Sequence, residues 1–404
     1  RDREWVVRHQ DADGSWGGIQ PPWIYSLMAL HVEGYAADHP VMRRGLAALE
    51  THWAWQRDGT WRIQASESSV WDTLLAMTAL LDSGASVTDE PSLDPALDWI
   101  LAHENRSRGD WSQRLPDVEP GGWAFERANR HYPDVDDTAV AVTVLARIRS
   151  QLPNPERVAE PLERAVDWLL AMQSDNGGWG AFDRDNNSEW LTRIPFCDFG
   201  EALDPPSADV TAHVVEALGT LDRVRYAEPI GRAVAYLRRE QETRGSWFGR
   251  WGVNHLYGTG AVLPALAASG ESMSAPYVTR AAEWLVAHQN DDGGWGESCA
   301  SYMDSAWIGR GPSAPSQTAW AMLGLLAVSP REYRAPLSRG AEWLARQQVE
   351  GTWLESAYTG TGFPGYGVGA RVALDRTGLS ADLQQGIELQ RGFMINYNLY
   401  RHYF

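Results

Sequence analysis

Residues 173–180 read QSDNGGWG and close an amphipathic run, AVDWLLAMQ (165–173). A Gln, a short polar turn and Gly-x-Trp would be an ordinary loop if it stood alone, but it recurs. QDADGSWGG (10–18), QRDGTW (56–61), QETRGSW (241–247), QNDDGGWG (289–296) and QVEGTW (348–353) repeat it, and RSRGDW (106–111) reads as a degenerate seventh copy. The Trp positions, 16, 61, 111, 179, 247, 295 and 353, lie 45 to 68 residues apart, the scale of one helical hairpin with its loops. The chain is a repeat protein.

Each repeat supplies two kinds of helix. AVDWLLAMQ (165–173), AVAYLRREQ (233–241), AAEWLVAHQ (281–289) and GAEWLARQQ (340–348) place apolar residues at three- and four-residue spacing and keep a polar face. DTAVAVTVLARI (137–148), DVTAHVVEALGTL (209–221), GTGAVLPALAA (258–268) and SQTAWAMLGLLAV (316–328) are nearly apolar all round, several opening on Ser or Asp at a plausible N-cap. A helix apolar on every side must be buried, so the second set forms an inner ring and the first an outer one. The fold class this predicts is all-α, an α/α-toroid. In the connecting turns Gly permits a left-handed backbone, Trp packs on the neighbouring repeat and Gln bonds exposed backbone at a helix end. The motif is therefore scaffold, and function belongs at the mouths of the inner helices.

Composition narrows that function. Thirty-five basic against fifty-three acidic residues give a net charge of −18 with no basic patch, which excludes nucleic acid as a partner. Cys197 and Cys299 are the only cysteines, so there is no disulfide framework and no Cys-x-x-Cys pair, and a reducing, cytoplasmic compartment is expected. No apolar run approaches the roughly 18 residues of a spanning helix. The opening RDREWVVRHQ has no signal-peptide pattern and no Met, and it already follows a helical period, as a trimmed chain would. DRDNNS (183–188) lacks the Gly and Glu spacing of a calcium loop and reads as a turn.

Two features at the mouths exceed packing. HYPDVDDTAV (131–140) sets Asp134, Asp136 and Asp137 at the start of an inner helix. Such clusters are ordinarily solvated loops. Here a helix N-terminus favours negative charge, yet three like charges cannot all ionise in a buried site, so at least one acid keeps its proton. The second feature is aromatic: GGWAFERANRHYP (121–133), WGAFD (179–183), SWFGRWGVNHLYGTG (246–260) and YTGTGFPGYG (358–367) bring a surplus of rings to the same end. Aromatic faces stabilise cations without offering a nucleophile. An acid facing such walls suits protonation of an alkene followed by cation-driven cyclisation.

At this point the chain resembles the squalene–hopene cyclases, terpene cyclases that start by protonation. The residues that carry the resemblance are DVDDTAV (134–140), the Gln–Trp repeats, GGIQPPW (17–23), SVWDT (69–73), IPFCDFGEALDPPS (194–207), GRWGVN (249–254), LYGTGAV (256–262), PSQTAWA (315–321) and YTGTGFPG (358–365). The resemblance implies Asp136 as proton donor, Asp134 and Asp137 as its neighbours, and an assisting His213 in DVTAH with Asp209 one turn earlier. It implies a cation-stabilising wall of Trp71, Phe125, Trp251, Tyr257, Phe363, Phe393, Tyr397 and Tyr400, a channel constriction at Phe196 and Cys197, and water placement near Gln20. It also implies squalene as substrate, no cofactor and no metal, peripheral attachment to the cytoplasmic membrane face, and leaves a homodimer open.

Departures from the family pattern are visible. Phe182 stands where some members carry Tyr, so one hydroxyl is lost from the wall. Within FPGYGVGARVALDRTGLSADLQQGIELQRGFMINYNLYRHYF (363–404), the residues between the Phe-Pro-Gly turn and the final aromatic helix are an insertion that the shortest members lack and longer members share. Family chains continue upstream of residue 1, so residues 1–65 are expected to be the remnant of a second toroid and 66–404 the catalytic one.

Rival readings make different demands. An α/α-barrel glycoside hydrolase needs two separated carboxylates. A protein prenyltransferase needs a zinc set that Cys197, Asp198 and His213 do not persuasively make. A cyclase of prenyl diphosphates needs a basic pocket, and a binding toroid would be indifferent to loss of Asp136.

Overall fold

The computed structural model describes residues 2–129, 131–188, 203–302, 304–361 and 394–404. Five helices whose sequences are apolar nearly all round pack one on the next: α4 (Ser69–Asp82), α6 (Val135–Arg149), α8 (Ala208–Asp222), α10 (His255–Ser269) and α12 (Pro315–Val328). The amphipathic helices α5 (Leu93–Ala102), α7 (Ala159–Ala171), α9 (Ala227–Glu240), α11 (Pro276–Ala287) and α13 (Arg334–Gln347) pack outside them, one to each. A short C-terminal helix, Tyr400–Tyr403, touches both α4 and α12 and completes the circle. The expected α/α-toroid is the observed architecture.

What joins the rings is the repeated turn, and the same bonds recur in each copy. The indole Nε1 of Trp179, Trp247 and Trp295 donates to a carbonyl in the last turn of the preceding outer helix, Leu169, Leu237 and Leu285 respectively. Those carbonyls are among the ones a helix end leaves without an internal partner. The backbone N–H of the same Trp donates to a Thr hydroxyl in the first turns of the next inner helix, Thr211, Thr259 and Thr318. One residue thus pins an outer helix's end to an inner helix's start.

The Gln reaches sideways. Gln173, Gln241 and Gln289 donate to the glycine carbonyl of their own turn and to Pro229, Tyr277 and Pro336 at the start of the next outer helix. Arg232, Arg280 and Arg339 of that helix donate back to the Gln amide oxygen. Gly245 shows why the turn demands glycine: its φ is +106°, and a Cβ there would lie 2.8 Å from the Arg280 carbonyl.

Three copies differ from the sequence reading. RSRGDW does not take the motif's place in its repeat. Trp123 does, donating from Nε1 to Ile100 in α5 and from its backbone to Thr138 in α6, while Trp111 packs beside it on Trp168. QRDGTW and QVEGTW fold as two-residue hairpins, Ala54–Arg57 with Thr60–Ile63 and Gln348–Val349 with Thr352–Trp353. Asp58–Gly59 and Glu350–Gly351 all have positive φ at their tips, as the twist of a tight hairpin requires. Trp61 is consequently 70% exposed rather than packed on a neighbour.

Helices α1 (Asp2–Arg8), α2 (Gln20–Val32) and α3 (Pro40–Ala48) enclose an apolar cluster of their own around Trp16, Trp23 and Trp53. The motif at 10–18 serves this unit, with Trp16 bonded to Val6 and Gln10 to Val41. Among the described residues no helix is long and apolar enough to cross a membrane.

Candidate active site

The N-termini of α4, α6 and α10 converge on a cavity of about 800 Å³. Helix α6 begins there because Asp134 caps it, its Oδ1 accepting the Asp137 N–H at 2.7 Å while its own N–H bonds Trp123. Asp136, one residue into the helix, lines the cavity. Packing of α6 against α8 brings His213, 77 residues away, to 2.5 Å between Nδ1 and Asp136 Oδ1. Both side chains are largely shielded, at 14% and 17% exposure.

Electrostatics fit a charged imidazole. Burial alone would lower His213, but the charge and hydrogen bond of Asp136, with Glu216 and Asp209 adding, lift it to about 9. Asp134 and Asp137 are fully buried and move up: burial, with the Asp136 charge added, takes Asp134 to about 8 despite its bonds to the helix start. Burial and the neighbouring charges of Asp134 and Asp136 hold Asp137 well above the carboxylate range. One oxygen of each lacks a donor, Asp134 Oδ2 and Asp137 Oδ1, which a retained proton between them satisfies. At least one acid of the three therefore stays neutral at pH 7, as the sequence argument required.

Aromatic rings build the walls. Trp71, Phe125, Phe182, Trp251, Tyr257, Tyr397 and Tyr400 all line the cavity. Trp71 donates to the Tyr400 hydroxyl at 2.9 Å, Tyr397 stacks on Tyr400 at 4.4 Å, and Trp251 meets Phe182 edge-on at 5.9 Å. Tyr257 stands 6.2 Å from the His213 ring, with Trp320 edge-on behind it at 4.8 Å. Phe363, Phe393, Phe196 and Cys197 lie outside the described residues.

Two candidates are placed differently from the sequence reading. Asp209 does not line the cavity: its Oδ2 accepts the backbone N–H groups of Arg250 and Trp251 at 2.9 and 2.8 Å, and its Oδ1 accepts the Ser207 hydroxyl. That geometry ties the start of α8 to the loop that carries Trp251. Gln20 is also off the lining; its amide bonds the Gln64 carbonyl at 2.9 Å and ties α2 to the chain beyond the first hairpin.

Sequence reasoning missed several polar residues here. Asp72 in SVWDT, pushed up by burial against bonds from Ser68 and Tyr403, adds its charge to the surroundings of Asp137 and Tyr397. Tyr132 lines the opposite wall and donates to Asp110 at 3.3 Å. Arg250 is the one cation among the described lining residues; it is buried, with Asp204 and Asp209 nearby. Their types carried no signal without the loop geometry. As for a metal, the oxygens of Asp13, Glu67 and Glu126 converge within 4.8 Å, but Arg127 already pairs with Glu67 at 3.2 Å.

By fold the barrel is similar to the ent-copalyl diphosphate synthase of Streptomyces platensis, which superposes with a TM-score of 0.51 at 18% identity, over 89% of this chain and 56% of that one. The chain belongs to the squalene–hopene cyclase family, whose C-terminal domain matches residues 67–368 and whose N-terminal domain matches residues 1–58. It is 46% identical over 366 residues to the squalene–hopene cyclase of Alicyclobacillus acidocaldarius, covering 90% of this chain and 57% of that protein. It is 42% identical over 355 residues to that of Bradyrhizobium diazoefficiens, covering 86% and 53%. The chain thus spans a little over half the length of these relatives.

Proposed function

We propose that this chain carries the proton-donating half of a squalene cyclase, an isomerase in which Asp136 protonates a terminal alkene of squalene. The observation that carries the reading is the 2.5 Å Asp136–His213 pair opening onto an aromatic cavity. His213 holds Oδ1, so the transferable proton sits on Oδ2. As that proton bonds to the alkene carbon, the electron pair of the O–H bond stays on the carboxylate. The imidazolium and the α6 N-terminus stabilise this anion. The tertiary cation then advances through ring closures past faces of Trp71, Phe125, Trp251, Tyr257, Tyr397 and Tyr400, whose π-electrons stabilise it. Loss of a proton ends the sequence as a hopene-like alkene, and capture of water followed by proton loss ends it as an alcohol.

The same reading takes residues 1–65 as part of a second toroid and 66–404 as the catalytic one. It also places the protein on a membrane face at the cytoplasmic side, since its substrate dissolves in the bilayer, and leaves a homodimer open. A prenyl diphosphate substrate is disfavoured because Arg250 is the one cation among the described lining residues, where a diphosphate calls for a cluster. The test is gas chromatography–mass spectrometry of squalene incubated in detergent with the full-length protein and its Asp136→Asn variant. Polycyclic product from the first, falling about 10²-fold or more in the second, supports the reading. Unchanged squalene from the folded wild type overturns it.

A further inference from the structure

Away from the proton donor, three carboxylates from separate parts of the chain meet beside the cavity. Asp13 belongs to the first Gly-x-Trp turn, in the unit that α1, α2 and α3 enclose. Glu67 lies just ahead of α4, and Glu126 follows the wall residue Phe125 and itself lines the cavity. One oxygen of each lies within 4.8 Å of the other two. Backbone bonds hold the segments together: the Gly18 carbonyl accepts the Glu67 N–H at 3.1 Å, the Ala65 carbonyl accepts the Gln20 N–H at 3.0 Å, and Ile19 and Ser66 form a β-bridge between them. Gly18, at φ +65°, makes room for the third acid, since a Cβ there would collide with Glu126 Cγ.

Like charges gathered this way repel, and their hydrogen bonds leave part of each unused. Glu126 is 2% exposed; its Oε2 accepts the Ala128 N–H at 2.7 Å, while its Oε1 is buried with no donor. A carboxylate oxygen buried without a partner is costly. Asp13 turns Oδ1 to the N–H and the hydroxyl of Ser15, at 2.9 and 2.7 Å, which leaves Oδ2 without a bond among the described residues. The only ion pair that the three acids make among the described residues is that of Glu67 with Arg127 at 3.2 Å. Arg127 is 43% exposed and pairs with neither Asp13 nor Glu126, so two of the three carboxylates have no cation.

We propose that Asp13, Glu67 and Glu126 bind a divalent, oxygen-seeking cation of the calcium class, with the buried Oε1 of Glu126 as one ligand. The donor set holds carboxylate oxygens and neither thiol nor imidazole, which suits a hard ion. Oxygens that sit about 2.3–2.6 Å from such an ion lie within about 5 Å of one another, the spread these three show. Water completes the six to eight positions that calcium takes. Arg127 competes for Glu67 and swings to solvent when the ion binds. Because the ligands come from the N-terminal unit, the segment before α4 and the loop of Phe125, the cation fastens that unit to the aromatic wall.

This site does not depend on the cyclase reading, and its test reads binding rather than turnover. The full-length protein, passed over a chelating resin, is titrated with Mn²⁺ while free Mn²⁺ is followed by electron paramagnetic resonance. The expected result is one ion per chain with a Kd below about 1 mM, displaced by Ca²⁺. Glu126→Gln, which keeps an oxygen for the Ala128 N–H but loses the charge, and Asp13→Asn should each weaken binding tenfold or more while circular dichroism is unchanged. Asp13→Asn alone decides the matter if the buried change at Glu126 prevents folding. The wild type should also melt higher in about 5 mM Ca²⁺ than in EDTA, and Asp13→Asn should not. Binding weaker than about 1 mM, or affinity that the folded variants retain to within tenfold, overturns the site.

Discussion

At His213 burial and charge pull in opposite directions, and the outcome fixes what Asp136 can do. A buried imidazole without a carboxylate would be neutral; paired at 2.5 Å with the carboxylate that the proposed proton transfer leaves on Asp136, it is held charged up to about pH 9. Replacing it by Phe, which keeps the ring in a similar volume, should lower product formation by about 10²-fold or more while the fold persists, as judged by circular dichroism. The wild-type pH profile should show the same logic. As pH passes about 8, ionisation of Asp134 adds negative charge beside the carboxylate that the proposed transfer leaves behind; near 9 the imidazolium is lost as well. Steady-state turnover should therefore hold to about pH 8 and fall above it, and a profile that rises through pH 9 would remove the imidazolium from the mechanism. Phe182 offers a milder change. It is 38% exposed on the wall and edge-on to Trp251, so Phe182→Tyr should leave the melting temperature nearly unchanged yet alter the ratio of cyclised products seen by gas chromatography.

Helices and turns were legible in the sequence to different depths, and the difference is physical. Apolar periodicity separated inner from outer helices because a ring of helix pairs has only one way to bury both. Asp134, Asp136 and Asp137 were readable from adjacency alone, and His213 came with the family pattern, since no local rule links residues 77 apart. What could not be read was anything decided by a backbone elsewhere. Asp209 looks catalytic on its helix face, but the N–H groups of Arg250 and Trp251 claim it. Trp123 has no Gln five or six residues upstream, so it hid behind Trp111, and Asp58–Gly59 made QRDGTW a hairpin although it spells the repeat. These distinctions give the turns unequal weight in stability. Thr211→Val keeps the side-chain shape but strands the buried N–H of Trp179, which should cost about 1–3 kcal/mol in urea unfolding. Trp61→Ala, at an exposed hairpin position, should stay within about 0.5 kcal/mol in this chain. Equal losses would mean that the repeat Trp stabilises the fold by burial alone, independent of its backbone bond.

Over the whole molecule, acidity is concentrated inside as well as outside. Besides Asp134, burial lifts Asp11 to about 7, Glu126 to about 8 and Glu297 to about 7, in each case against hydrogen bonds that favour the anion. Each folded value lies above that of the unfolded chain, where these acids titrate near 4. The folded state therefore holds more protons than the unfolded one across that interval, and stability present below pH 4 is lost as pH rises toward 8. His213 has the same sign, its contribution complete below about 6.5 and lost through about 9. Opposing groups act at lower pH: Asp292, held down by Ser313 and the Gly294 N–H, and Glu90, held down by Ser92, are mostly exposed and act only at acid pH, while burial lowers His131, His288 and His402, whose opposing effect ends by about 6.5. Unlike a protein whose carboxylates are mainly paired on the surface, this one should melt at progressively lower temperature from about pH 6.5, where the lowered histidines have finished titrating, to about 8.5 at constant ionic strength. Each proton released contributes a slope of about 1.4 kcal/mol per pH unit where it titrates. Glu297 isolates one such proton, because it sits off the catalytic cavity with its Oε2 accepting the Leu256 N–H at 2.8 Å, a bond that Gln can keep. Glu297→Gln should flatten the melting curve's pH dependence between about 4.5 and 7 without changing product ratios, since the amide cannot titrate and Asp136 is not its neighbour. If the wild type instead gains stability toward pH 8, the interior acids are ionised in the folded state, and the neutral Asp134–Asp137 pair on which the proton donor's surroundings depend must be abandoned.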